Sequence, residues 1–472
     1  MFNTPNPTQM PLSVTTPLPN DSGQISEVVV QAGDTLSGIA SANGVTVEAI
    51  IQLNGIENPD LLSVGQVLLL PAPPQQLTDN TPILSDNRLI PSPESETFNL
   101  EAFIDAQPGY ITQAADIVDQ RLALGMTIQE TLTAAQVIRR VGQEFSIDPR
   151  ILLTLLEYQS GWLTTATLTP EQIQYPMGMV DENRIGLYKQ LSWAADRLNR
   201  AYYAQKYASA PILAFTGGER VQISSTLNAA SAAIAYVSSQ NSPYSSWSAA
   251  MADQRFSTLY RGSFGDPLPL PIALTPVPAQ PILTLPFTSG ETWFYTGGPH
   301  GGWGNGSAWA AIDFAPPDAR EAGDPACYLS EYPVRAVADG LIVRSQRGSV
   351  ILDLDGDGLE STGWTILYLH LAEQGRIATN TPVETGDVVG YSACEGGFST
   401  ATHLHIARRY NAEWVPADCP ACTADSPPPA FTLSDWRVFG FSGQEYQGLI
   451  TRNGEERQAE QGRLTPINRV SW

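Results

Sequence analysis

Two proline-rich seams constrain this chain more than any other feature, because neither fits inside a helix or a central strand. The first, APPQQLTDNTPILSDNRLIPSPESE, occupies residues 72–96. The second spans 266–282, within a run that holds seven prolines between positions 267 and 286. Proline fixes φ and lacks an amide proton, so such segments read as extended spacers. The uncharged stretch 267–290 is apolar enough to suggest a membrane span, and its prolines exclude one. The seams divide the 472 residues into a flexible lead (1–26), a small unit (27–71), a linker (72–96), a mostly helical block (97–265), a Pro-rich linker (266–282) and a β-rich block (283–472). Several domains are also what this length suggests at roughly 150 residues each.

The small unit reads EVVVQAGDTLSGIASANGVTVEAIIQLNGIENPDLLSVGQVLLLP. A β run over 27–31 leads into Gly33-Asp34-Thr35, where Asp34 is placed to cap a helix over 36–43. Thr46 caps a second helix ending near Asn54, and 65–70 closes as a strand. This βααβ order, with GDTL and NPDLLSVGQVLLLP, resembles the LysM module over its full length. The resemblance implies binding to polymers containing N-acetylglucosamine, chiefly peptidoglycan or chitin. It places the groove between a loop carrying Gly33, Asp34, Thr35 and Leu36 and a loop carrying Asn58, Pro59 and Leu61. A small domain without a ligand is the plain alternative.

In the middle block Val137, Ile138, Val141 and Phe145 recur at helical spacing, and Asp148-Pro149 opens the next helix with proline in its first turn. IDPRILLTLLEYQSGWLT resembles the helix of lysozyme-like transglycosylases that bears the catalytic glutamate. In that family the acid precedes the serine. Here Gln159 stands in its place, and an amide cannot protonate a glycosidic oxygen. Glu157, two residues earlier, lies about 200° around the helix and is no substitute. A lysozyme-like helical domain without catalysis is expected.

The chemistry concentrates in the last block. The chain has four histidines, two of them one residue apart in THLHIA. On a strand His403 and His405 share a face while Leu404 and Ile406 take the core. Two adjacent imidazoles mark a metal or proton-transfer pair more readily than a structural pair, which would need two partners. His370 ends the alternating run GWTILYLHLA, on a face shared with Tyr368. His300 lies in a glycine-rich stretch before a strand over 310–315. Asp313 sits in that strand between Ile312 and Phe314, where a carboxylate needs a partner. GGWGNG neither follows a strand nor opens a helix, so it is no phosphate loop.

His300, Asp313, YLHL around His370 and CEGGFSTATHLH together resemble the lysostaphin-like zinc endopeptidases, peptidoglycan hydrolases with an antiparallel β core (the duplicated hybrid motif). The thirteen-residue step from His300 to Asp313, and Cys394 eleven residues before His405, are similar to the β-lytic and staphylolysin branch. ATHLH departs from the Gly-Pro many relatives carry before the histidine, a change expected in the loop and not in the ligands. The resemblance implies that His300, Asp313 and His405 bind one Zn²⁺ and leave the fourth position to water. His403 would be the general base on that water, and His370 would stabilise the oxyanion or help protonate the leaving amine. It also implies pairing Cys327 with Cys394, which leaves Cys419 with Cys422. From the residues alone the Cys-Pro-Ala-Cys pair is open to a redox or metal reading, although no second CxxC completes a zinc knuckle. DLDGDG at 353–358 begins like a calcium loop. Trp364 stands where an EF-hand needs glutamate, so a tight hairpin is expected ahead of bound Ca²⁺.

The net charge of −23, from 25 basic and 48 acidic residues, excludes a nucleic-acid partner and disfavours anionic membranes. Four cysteines, all in the last third, fit disulfides in an oxidising compartment. The lead shows no export signal. The expected protein is a multidomain α+β chain: a βααβ LysM, a mostly α lysozyme-like middle domain, and an antiparallel β peptidase domain. It would be secreted or located in the cell envelope, cutting peptidoglycan peptides with no membrane span. The rivals are a non-enzymatic wall-binding regulator and a bifunctional endopeptidase/glycosidase.

Overall fold

The computed structural model describes residues 26–31, 34–42, 45, 47–56, 62–70, 75–76, 80–269, 277–321, 323–420, 422, 427–463 and 466–472. They form two units that divide after Gln75. In the first, strands Ser26–Val29 and Val67–Leu70 pair antiparallel beside helices Leu36–Ala42 and Val47–Asn54. Leu36, Ile39, Ile50 and Leu68 fill its core. The first helix is capped by Thr35, whose Oγ1 accepts the Gly38 amide at 3.0 Å. Asp34 was the expected cap, but it stands one residue too early for that role and its carboxylate accepts from the Gln31 amide at 2.7 Å. Asn54 joins the second helix to the sheet: its amide donates to the Leu69 carbonyl and its Oδ1 accepts the Leu69 amide, both at 2.7 Å. The expected cap at Thr46 lies outside the described residues.

The second unit holds both remaining blocks. Its helical part begins earlier than the proline content suggests. Short helices Asp86–Leu89 and Pro93–Glu96 stand in the stretch read as linker, and Leu84, Leu89 and Ile90 are buried in the helical core. Here the prolines work locally: Pro93 opens a helix behind a Ser92 capping box, where its missing amide costs nothing. Helices Ala134–Phe145, Pro149–Ser160 and Leu187–Tyr207 form the body. Asp148 caps the second of these through the Arg150 amide at 2.9 Å. A hairpin of Ala115–Arg121 and Thr127–Thr133 projects from it.

The β part is organised by an antiparallel sheet whose order is Thr381–Val383, Gly340–Gln346, Ser349–Asp353, Trp364–Leu369, Leu404–Tyr410, Ala311–Ala315, Thr292–His300 and Arg469–Ser471. Strand alternation gives the sheet two unlike faces. Ile312, Phe314, Ile366, Tyr368, Leu404 and Ile406 enter the domain's own core with Phe287 and Trp293. Ile351, Leu367, Leu369 and Ala407, on the opposite face, share one apolar cluster with Val141 and Phe145 of the helical block. That face also carries Asp313 and His405, which pair across the ladder.

Polar contacts secure the junction. Ser146 Oγ donates to the Ala412 carbonyl at 2.6 Å, the Trp414 indole donates to the Phe145 carbonyl at 3.1 Å, and Lys206 pairs with Glu413 at 2.5 Å. Trp414 is 1 % exposed at this junction. Trp414→Ala should therefore lower unfolding stability by about 3–5 kcal/mol, read by denaturant titration; a loss under about 1 kcal/mol would show that the two blocks do not unfold as one. Disulfides join Cys327 to Cys394 and Cys419 to Cys422. No helix among the described residues is long and apolar enough to cross a membrane.

Candidate metal centre and catalytic histidines

Asp313 is held at the middle of the sheet by neighbours on both sides, opposite His405 on one strand and Gly297 on the other. A Cβ at Gly297 would come within 2.4 Å of the Asp313 carboxylate, so glycine is what lets the acid lie there. His300 ends its strand and His405 is the second residue of its own. Ligand atoms of His300, Asp313 and His405 lie within 4.8 Å of one another. His300 Nε2 and His405 Nδ1 are each 3.3 Å from Asp313 Oδ1 and 3.0 Å from each other.

The far nitrogens settle the tautomers. His300 Nδ1 donates to the Gly298 carbonyl at 2.8 Å, and His405 Nε2 donates to the Gly302 carbonyl at 3.0 Å. Both near nitrogens then turn lone pairs inward, the usual arrangement for a metal-binding imidazole. Asp313 Oδ1 is buried and accepts no hydrogen bond. Two lone pairs and an orphaned carboxylate oxygen at one buried point call for a cation, and two imidazoles with one carboxylate are a donor set for a divalent transition ion.

His370 and His403 flank this centre with ring centroids 4.6 Å apart. His403 bridges to Ala393 and is the least enclosed of the four, its side chain 18 % exposed; its Nε2 is 3.7 Å from Asp313 Oδ1. Its Nδ1 donates to the Ala401 carbonyl at 2.8 Å, and His370 Nδ1 donates to the Glu395 carbonyl at 3.0 Å. Each ring thus offers Nε2 to the site. Burial, then His403 and His405, keep the His370 ring well below its ordinary pKa, hence neutral.

His370 does not share a face with Tyr368, as strand alternation suggested. The strand stops at Leu369 and His370 takes a left-handed backbone at φ 68°, which swings the ring toward His403. Tyr368 stays in the core, where its hydroxyl accepts the Val337 amide at 2.9 Å. Left-handed backbone at a non-glycine residue is costly and gathers at functional sites.

Tyr446 carries no sequence signal, yet it stacks on His300 at 4.2 Å and 20°. Its backbone is also left-handed, at φ 66°. Burial, and then Asp313, push its phenol up to about 12, so it stays protonated beside His300. Glu395 is a second unforeseen residue: buried, it pairs with Arg376 at 2.8 Å and accepts the Glu373 amide at 2.7 Å, fixing the loop whose carbonyl holds His370.

The other candidates are less convergent. Asp34 and Thr35 are exposed, while Leu36 is buried in the core of its module and does not present its side chain. Gly33, Asn58, Pro59 and Leu61 lie outside the described residues. In the middle block Glu157 is occupied at the end of its helix, where it accepts the Leu163 amide at 2.8 Å and the Thr164 hydroxyl at 2.5 Å. It is not a free acid.

Three family models match parts of the chain. Residues 28–71 match the LysM domain, 82–277 match the LasA N-terminal domain, and 325–417 match peptidase family M23. The last match includes His370, His403 and His405 but begins after His300 and Asp313. The chain is 25 % identical over 293 residues to Protease LasA of Pseudomonas aeruginosa, covering 57 % of this chain and 65 % of that one. Among solved structures, the M23 metalloprotease pseudoalterin from the deep sea aligns at 22 % identity and TM-score 0.29 over 38 % of this chain and 96 % of its own. The catalytic domain of lysostaphin from Staphylococcus simulans aligns at 25 % identity and TM-score 0.19 over 27 % and 89 %.

The C-terminal block thus carries a match to peptidase family M23 over residues 325–417. The chain is similar to Protease LasA over 57 % of its length, with a match to the LysM domain ahead of a match to the LasA N-terminal domain. The comparisons assign the middle block to the LasA N-terminal family; the lysozyme-like reading of its helix gains no support from them.

Proposed function

We propose that the protein is a zinc-dependent endopeptidase of bacterial peptidoglycan, acting outside the cytoplasm and held at the wall by its LysM domain. The observation that carries this reading is the buried, unpartnered Asp313 Oδ1 facing the inward lone pairs of His300 and His405. These three residues would hold Zn²⁺, which when bound acidifies water and polarises a peptide carbonyl. His403, nearest solvent, takes a proton from the attacking water at Nε2. His370, which starts neutral with Nε2 free and lies in ring contact with His403, takes that proton from His403 at Nε2 and passes it to the departing amine. The Tyr446 phenol, kept protonated, donates a hydrogen bond to the oxygen of the tetrahedral intermediate. The match of residues 28–71 to the LysM domain supports the same reading, because a wall tether there would raise the local concentration of wall peptide.

The full donor set argues against a purely regulatory relative, and Gln159 with the occupied Glu157 argues against a second, glycosidic activity. Digests of purified peptidoglycan should accumulate new free amino groups in step with turbidity loss, without new reducing ends. New reducing ends would move the activity to the middle block; neither product would leave a wall-binding regulator.

A further inference from the structure

We propose that the loop DLDGDG, residues 353–358, is a calcium site separate from the histidine centre. The loop joins strands Ser349–Asp353 and Trp364–Leu369 as a hairpin, and its carboxylates help shape the turn. Asp355 accepts the Asp357 amide at 3.3 Å, and Asp357 accepts the Leu359 amide at 2.9 Å and the Thr362 hydroxyl at 2.6 Å. These neutral donors leave the gathered negative charge uncompensated. Carboxylate oxygens of Asp353, Asp355 and Asp357 lie within 4.8 Å of one another, and among the described residues no lysine or arginine pairs with any of them. Arg344 and Arg409, on strands of the same sheet, are both engaged by Glu360, at 2.6 and 2.8 Å. Those contacts overcome burial and hold Glu360 at about 2, so the two cations are spent on it.

A second observation points to a ligand. Thr365 is fully buried and its hydroxyl has no partner. It stands directly opposite Asp353 in the ladder, so the two side chains leave the same face about 5 Å apart. Asp353 is itself fully buried; its two oxygens accept the Asp355 amide at 3.2 Å and the Gly358 amide at 3.0 Å. Each oxygen keeps a lone pair beyond those bonds. Burial, and contact with Asp355, push its carboxyl up to about 6, the mark of negative charge gathered without a counter-ion.

Oxygen-only donors select a hard cation, and carboxylates on an exposed loop suit the flexible coordination of Ca²⁺ better than rigid Mg²⁺. Asp353, Asp355, Asp357 and the Leu359 carbonyl stand at positions one, three, five and seven of a calcium loop. Trp364 at position twelve removes the bidentate glutamate, so affinity falls toward the ~0.1–1 mM of extracellular modules. The site would tie the hairpin down just where Trp364–Leu369 begins its run to His370.

Calorimetric titration of CaCl₂ into the zinc-loaded full chain should show one Ca²⁺ per chain with Kd of about 0.1–1 mM, and calcium should raise Tm. Asp355 and Asp357 are exposed, so the double variant Asp355→Asn/Asp357→Asn should fold, as circular dichroism would verify, yet bind at least about tenfold more weakly. His405→Ala should leave the calcium isotherm unchanged, which separates this site from the histidine centre. No binding up to about 10 mM Ca²⁺, or equal affinity in the double variant, overturns the proposal.

Discussion

His403→Ala should retain one zinc per chain yet lyse purified walls about a hundredfold or more slowly, the usual weight of one general acid–base group. The expectation follows from the division of labour among the four rings. His300 and His405 are buried at 3 % and 6 % exposure with both nitrogens committed, whereas His403 keeps Nε2 toward the opening. Removing it takes away a proton acceptor and leaves the three donors intact. His370→Ala should behave alike, with zinc kept and turnover lost. Loss of zinc in either variant would instead mean that the outer pair shares in holding the ion.

Separating the helical block from the β domain should raise the initial rate of wall lysis by about tenfold or more, because only the fraction of molecules with an open face accepts substrate. His405, Ala407 and Arg409 follow one another on the same face of their strand. Ala407 is buried in the cluster shared with the helices, and Arg409 reaches Ser146 at 3.4 Å. The loop after His300 is gripped by Asp196, which accepts the Gly306 amide at 2.8 Å. On the other side, the Cys394 amide donates to the Ala123 carbonyl at 2.9 Å, at the tip of the hairpin. Cleavage at a protease site engineered within 270–276, followed by release of the block, provides the comparison. An unchanged rate would show that substrate reaches the centre without crossing the covered face.

The parts of this protein legible in its sequence are those written in local pattern. Alternation around THLHIA places His405 and Leu404 on opposite faces, and GDTL with its spacing marks the small module. What stayed hidden depends on backbone conformation and long-range packing. His370 follows the alternation of its strand in sequence but leaves it through a left-handed residue, which no period-two pattern encodes. Tyr446 reaches His300 from 146 residues away, on a strand with no motif. The 80–96 stretch reads as a spacer because its prolines are counted; Leu84, Leu89 and Ile90 bury because a helical surface waits for them. The shared core of the two blocks was invisible for a similar reason, since Leu367 and Ala407 read as ordinary strand residues until the opposing helix is in place.

The most direct test of the central claim is zinc content measured with wall lysis, on the same preparations of wild type and His405→Ala. The wild type should hold about one zinc per chain and release peptide amino groups, with both lost in the variant. Lysis that survives in His405→Ala, or a wild type that lyses walls while holding no zinc, would contradict it.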